Sequence, residues 1–118
     1  MSTTGFSRKL RLLDQESYSL VFKQPDLRLN STHLLLLAKK NGLTHPRLGL
    51  AISKKRAPLA TSRNVIKRQA REVFRSHQHE IPCYDMIFLL RKNISKTNSK
   101  KIRSEYLSIF EQLLAKQR

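Results

Sequence analysis

The segment 52–75, ISKKRAPLATSRNVIKRQAREVFR, constrains the fold of this 118-residue chain more than any other. Its apolar residues recur at helical spacing, so at about 100° per residue they lie within one arc of a helix. Basic residues fill the adjacent arc. We therefore predict a helix over residues 58–77, with Pro58 in its first turn. Its apolar arc should pack on a core, and its basic arc should be exposed. The apolar arc comprises Ile66, Ala70, Val73 and Phe74, and the basic arc comprises Arg63, Lys67, Arg68, Arg71 and Arg75.

Three further segments have the composition of β-strands. Residues 32–39, THLLLLAK, and 47–53, RLGLAIS, are separated by turn residues, which predicts an antiparallel hairpin. Residues 84–91, YDMIFLLR, predict a third strand that joins the sheet in parallel after the long helix. Crossovers between parallel strands are usually right-handed.

Two further helices flank these strands. Asp14 is a suitable N-cap for a short helix over residues 15–23, which Pro25 ends. Asn98 or Ser99 caps a last helix that extends to about residue 117. The predicted order is α-β-β-α-β-α, an α+β fold with a small sheet and a long basic helix packed on it. We expect one domain over residues 1–118, in which residues 1–13 form a flexible or extended basic arm.

The charge of the chain points to a polyanionic partner. Lys and Arg total 24 against 8 Asp and Glu, a net charge of +16. Such a surface repels itself unless a polyanion compensates it, although a generic basic surface that binds RNA loosely is the simpler alternative. Cys83 is the only cysteine, which fits a reducing, cytoplasmic location. There is no signal-peptide pattern and no apolar run long enough to cross a membrane.

Residues suited to catalysis or metal binding are not grouped in the sequence. The carboxylates are scattered, and His77 and His79 are better read as surface residues near a helix end. The three glycines are too far apart for a phosphate-binding loop. We therefore predict no catalytic residue and no metal ligand in this chain. His33, at a strand position, could meet a ligand or face solvent.

Two aromatic residues share the short predicted helix. If they are exposed, Tyr18 and Phe22 beside basic residues suit single-stranded RNA, because unpaired bases stack on such rings. If they are buried, both rings belong to the core.

Four segments together resemble the protein subunit of bacterial ribonuclease P, in its gammaproteobacterial form. They are LRLLDQESYSLVFKQP, HPRLGLAISKK, SRNVIKRQAREVFR and YDMIFLLRKN. The resemblance covers about residues 6–115. It implies a subunit of an endoribonuclease that removes the 5′ leader from precursor tRNA by hydrolysis. In that family the catalytic RNA subunit holds the Mg²⁺ ions and performs the chemistry. The protein binds that RNA and the single-stranded leader, and its β-α-β crossover is left-handed, against the general rule.

The resemblance also implies positions for these contacts. The family's Arg-Asn-Arg motif falls on Arg63, Asn64 and Val65, so the third cation is missing here. The expected RNA-binding residues are Lys54, Lys55, Arg56, Arg63, Asn64, Lys67, Arg68, Arg71 and Arg75. The expected leader-binding cleft comprises Tyr18, Phe22, His33 and Leu36. We predict no protein partner and no metal bound by the protein itself.

Two other classes of protein compete with the interpretation as a ribonuclease P subunit. A structural RNA binder such as a ribosomal protein would have a similar composition. A DNA regulator could use residues 58–77 as a recognition helix, but strands rather than a short helix precede it.

Overall fold

The structure is a computed structural model that describes residues 10–12 and 14–116. The described part has the predicted α+β architecture, with a four-stranded sheet and four helices. Most of the predicted arm, residues 1–9 and 13, lies outside the described residues. The elements are α1 (Gln15–Lys23), β1 (Leu27–Asn30), β2 (Leu34–Lys40), β3 (Arg47–Ala51), α2 (Ala60–His77), β4 (Tyr84–Leu90), α3 (Lys96–Lys100) and α4 (Arg103–Ala115).

The strand order in the sheet is β1-β2-β4-β3. β1 pairs with β2 and β2 with β4 in antiparallel orientation, whereas β3 and β4 are parallel and joined through α2. The parallel third strand is therefore confirmed, and its handedness stays a prediction. The predicted hairpin between residues 32–39 and 47–53 is wrong, because β4 lies between these strands. Six of the seven residues of β4 are buried, so a central position with a neighbouring strand on each side stabilises this strand more than an edge position would.

The short strand β1 was not predicted. Its sequence, LRLN, is only four residues long and closely follows Pro25. Leu29 is buried opposite Leu36 of β2, so tertiary pairing rather than a long local pattern creates this strand.

The apolar arc of α2 is confirmed, since Ile66, Ala70, Val73 and Phe74 are all fully buried. The helix begins at Ala60, so Pro58 lies in the preceding loop rather than in the first turn. The predicted last helix is divided in two. Ser95, not Asn98 or Ser99, caps α3 by accepting the Asn98 N–H at 3.1 Å. The chain turns at buried Ile102 before α4 begins.

The sheet separates two apolar clusters of unequal size. Leu34, Leu36 and Ala38 of β2 face the larger one, which contains the buried side chains of α2 and α4. Leu35 and Leu37 alternate to the other face, where α1 packs. A nine-residue helix is thus the main cover of the second face. The predicted cap of α1 is confirmed, because Asp14 Oδ2 accepts the Ser17 N–H at 2.8 Å. Hydrogen bonds from the Ser17 side chain and from the Ser17 N–H lower the pKa of Asp14.

Candidate nucleic-acid interface

α1 and β3 meet at Tyr18. The ring is half-buried over Gly49, and its hydroxyl oxygen accepts the backbone N–H of Leu50 at 3.1 Å. Burial raises the pKa of the phenol, while the Leu50 hydrogen bond opposes that rise. The ring therefore stays neutral at physiological pH and has an exposed part available for stacking.

A groove of about 170 Å³ opens beside this ring. Two basic residues of α2, Lys67 and Arg71, form one wall, and Arg11 adds a third cation. An aromatic ring beside several cations is suited to one nucleotide, since the base can stack while the phosphate meets positive charge. The lining residues are Arg11, Leu12, Tyr18, Leu48, Gly49, Leu50, Lys67 and Arg71.

Phe22 extends the aromatic surface of α1. Its side chain is 44% exposed, and its ring centroid lies 6.5 Å from that of Tyr18 with 24° between the planes. Phe22 is exposed and does not belong to the core, whereas Tyr18 is half-buried and packs against the apolar cluster on the α1 side of the sheet.

The structure does not place the other two expected cleft residues with these rings. Leu36 is 0% exposed and faces the core on the α2 and α4 side of the sheet, so it cannot contact a ligand at the surface. Leu35, its neighbour, lies on the α1 side and is only partly buried. His33 is anchored elsewhere, with Nδ1 at 2.7 Å from Glu105 Oε2 on α4. Its ring therefore has a carboxylate partner within the fold.

The basic arc of α2 is accessible over most of its length. Arg68, Arg71 and Arg75 are exposed, as is Asn64, while Lys67 is half-buried at the groove. Glu72 is the one acidic residue in α2. It lies between Arg68 at 3.6 Å and Arg103 at 3.5 Å, distances typical of weak surface ion pairs.

Arg63 differs from the rest of this arc. Its Nη1 donates to the carbonyl oxygens of Ala57 and Pro58, both at 2.8 Å. These bonds tie the loop before α2 to the first turn of the helix, so Arg63 has a structural role in addition to its charge.

The loop after β3 presents further cations. Lys54 and Lys55 are exposed. Arg56 donates two hydrogen bonds, from its backbone N–H to Ser53 Oγ at 3.2 Å and from its Nη1 to Asn93 Oδ1 at 3.3 Å. These bonds fix the turn and join it to the loop that follows β4, and the chain continues from this turn into α2.

Sequence reasoning missed Arg11 and Gly49. Arg11 forms a parallel β-bridge with Leu48, and the N–H of Leu12 donates to the Leu48 carbonyl at 2.9 Å. The alternation of residues 10–12, with two buried leucines flanking Arg11, is the signal that could have revealed this extended pairing.

Neither a metal centre nor a membrane helix is found in residues 10–12 and 14–116. No three His, Cys, Asp or Glu side chains of this part are grouped so that they could hold a metal ion. None of its helices is both long and apolar enough to span a bilayer.

Several known proteins are similar to this chain in sequence and in fold. The family model described as Ribonuclease P matches residues 6–114. A ribonuclease P protein component from Photobacterium profundum is 44% identical over 102 residues, 86% of each chain. One from Vibrio parahaemolyticus is 40% identical over 113 residues, 96% of this chain and 95% of the relative. The solved ribonuclease P protein of Thermotoga maritima superposes with a TM-score of 0.72 at 30% identity, covering 86% of this chain and 96% of that one.

Proposed function

We propose, from the premise that this chain belongs to the ribonuclease P protein family, that two of its surfaces serve two RNA partners. The chain is an RNA-binding subunit of ribonuclease P, an endoribonuclease that processes tRNA. Arg63, Arg68 and Arg75 of the basic arc and the loop with Lys54 and Lys55 bind the catalytic RNA subunit, while Lys67 and Arg71 of that arc line the groove. The groove beside Tyr18 binds the single-stranded 5′ leader of precursor tRNA.

The observation that carries this proposal is the groove itself. Tyr18 on α1 and the cations Lys67 and Arg71 on α2 come from distant parts of the chain and line one cavity. Phe22 is the next exposed ring along α1. Single-stranded RNA is recognised by such combinations of stacking and positive charge, whereas duplex RNA offers no unstacked base. Arg68 and Arg75 are not among the groove-lining residues, which leaves them for a second RNA surface.

The chemistry belongs to the RNA subunit in this proposal. Mg²⁺ ions held by that RNA supply the activation of water and the stabilisation of the leaving group. The protein contributes binding, because its charge offsets the repulsion between two polyanions that must approach each other. With its charge of +16, the chain can contact both partners at once. We place this activity in the cytoplasm, where precursor tRNA is made in bacteria.

Reconstitution tests this proposal. Purified RNA-free protein should not cleave precursor tRNA at any Mg²⁺ concentration. The RNA subunit alone should cleave slowly at high Mg²⁺, and added protein should restore cleavage at low Mg²⁺. Specific leader removal by the protein alone would contradict the proposal, as would an RNA subunit whose Mg²⁺ requirement the protein leaves unchanged.

A further inference from the structure

We propose that strand β3 sets the position of the leader-binding ring, with Gly49 and Arg47 acting as positioning residues through α1 and Tyr18. This inference rests on the proposed leader-binding role of Tyr18. It adds that β3 holds the ring in place, through Gly49 and Leu50, which also line the groove, and through Arg47, which does not.

Gly49 allows the close approach of the ring. A Cβ atom at this position would lie 2.5 Å from Tyr18 Oη and 2.7 Å from Cζ, closer than non-bonded atoms approach. The glycine is in a regular strand and does not have the positive φ that marks Gly42. Close packing of the phenol, rather than backbone conformation, therefore explains why this site suits glycine.

Leu50, the next residue of β3, fixes the position of the Tyr18 ring relative to the strand. β3 is an edge strand, and β4 lies on only one side of it. The Leu50 N–H points to the other side and donates to Tyr18 Oη. The phenol thus satisfies a donor on the side of β3 that faces away from β4, and the hydrogen bond holds the ring against the strand edge.

Arg47 fixes the beginning of α1. Its guanidinium binds Asp85 with two hydrogen bonds, Nε to Oδ1 at 2.8 Å and Nη2 to Oδ2 at 2.7 Å. Such a two-point pair gives the guanidinium a defined orientation. From this position Nη2 reaches Ser17 Oγ at 3.4 Å, and Nη1 lies 3.8 Å from Asp14 Oδ1. Ser17 directly precedes Tyr18, so the ion pair on the sheet supports the turn that carries the ring.

These contacts matter because α1 has little else to fix it. Val21 is the only residue of α1 that is fully buried. Besides Val21, the half-buried Tyr18 ring is the residue of α1 that packs against this apolar cluster, so the rotation of the helix depends on how the ring is held. The contacts with Arg47, Gly49 and Leu50 are spread along the strand, and together they define that rotation.

A double-mutant cycle between Gly49→Ala and Tyr18→Ala tests the inference. The measured quantity is the ratio of holoenzyme affinities for precursor tRNA with a leader and for mature tRNA. Tyr18→Ala should reduce this ratio by about tenfold, the loss of one stacked base. Gly49→Ala should reduce it by a similar factor, because the added methyl group displaces the ring. In the Tyr18→Ala background, Gly49→Ala should change the ratio less than about twofold. Affinity for the RNA subunit should be unchanged in all three variants.

The outcomes separate this inference from the proposed function. If Tyr18→Ala leaves the ratio unchanged, the assignment of the leader surface fails, and this inference fails with it. Only the positioning role is overturned if Tyr18→Ala lowers the ratio but Gly49→Ala does not. The same holds if the reductions caused by the two single variants multiply in the double variant. Should Gly49→Ala fail to fold, Arg47→Lys replaces it in the same cycle. Lysine keeps the charge but cannot bind Asp85 at two points. The inference is supported if Arg47→Lys reduces the affinity ratio in the parent protein but not in the Tyr18→Ala background. It is contradicted if Arg47→Lys leaves the ratio of the parent protein unchanged.

Discussion

Arg63 and Arg71 allow structural and RNA-binding contributions to be separated at the scale of single residues. Arg71 is exposed, whereas Arg63 bonds two loop carbonyls. We expect Arg63→Ala to lower the free energy of unfolding by about 1–2 kcal/mol. Arg71→Ala should change it by less than about 0.5 kcal/mol. Urea denaturation measures both values.

Binding gives the matched comparison. Each replacement removes one phosphate contact, so each should reduce by about one the salt slope for its own RNA partner, the RNA subunit for Arg63→Ala and precursor tRNA for Arg71→Ala. Equal unfolding free energies for the two variants would show that the Arg63 hydrogen bonds do not stabilise the protein.

Individual residues also show where sequence reasoning stops. The apolar arc of α2 could be predicted completely, because a helix imposes its own periodicity on Ile66, Ala70, Val73 and Phe74. The run of four leucines in β2 has no such alternation. Leu36 faces the larger core and Leu35 the α1 side, and only the pairing of β2 with β4 distinguishes them. Assigning Leu36 to the leader surface failed for this reason.

Between elements, Glu105 links α4 to the turn that joins β1 and β2. Its Oε1 accepts the Ser31 hydroxyl and the His33 N–H, and its Oε2 meets His33 Nδ1. Burial raises the pKa of Glu105, but these hydrogen bonds outweigh it and leave the pKa below its ordinary value. A lowered pKa means that the link stabilises the fold above the pKa of the unfolded chain and weakens as the pH falls through the folded value.

The variant Glu105→Gln tests this link. We expect it to lower the free energy of unfolding at pH 7 by about 1 kcal/mol. The gap from the parent protein should narrow as the pH falls below the ordinary pKa of a glutamate and through the lowered pKa of Glu105, where the carboxylate becomes protonated. Urea denaturation at several pH values measures this gap. A gap that is constant with pH would show that ionisation of Glu105 does not contribute.

The order of the strands could not be derived from local sequence. Residues 32–39 and 47–53 looked like a hairpin because a turn separates them. β4 follows α2 along the chain yet inserts between them, since its apolar residues need cover on both faces and a neighbour on each side. The same pairing places β3 at the edge, where Tyr18 and Arg11 reach it. The sequence and its resemblance predicted the cations and a cleft that contains Tyr18, but not that Lys67 and Arg71 line the same groove as this ring.

At the scale of the whole molecule, the chain has a net charge of +16, and the two RNA surfaces that we propose can be tested separately. Arg68 is 67% exposed at the side chain and does not line the groove. Tyr18 lines the groove and is neutral. Charge and stacking therefore report on different partners.

The most direct test measures two quantities in each of the variants Arg68→Ala and Tyr18→Ala. These are the affinity for the RNA subunit across a series of salt concentrations, and the affinity ratio between precursor and mature tRNA. Arg68→Ala should weaken RNA-subunit binding by about 1 kcal/mol and reduce the salt slope by about one, with the ratio unchanged. Tyr18→Ala should lower the ratio about tenfold and leave RNA-subunit binding unchanged. If either variant impairs both quantities alike, the two surfaces are not separate and the account is contradicted.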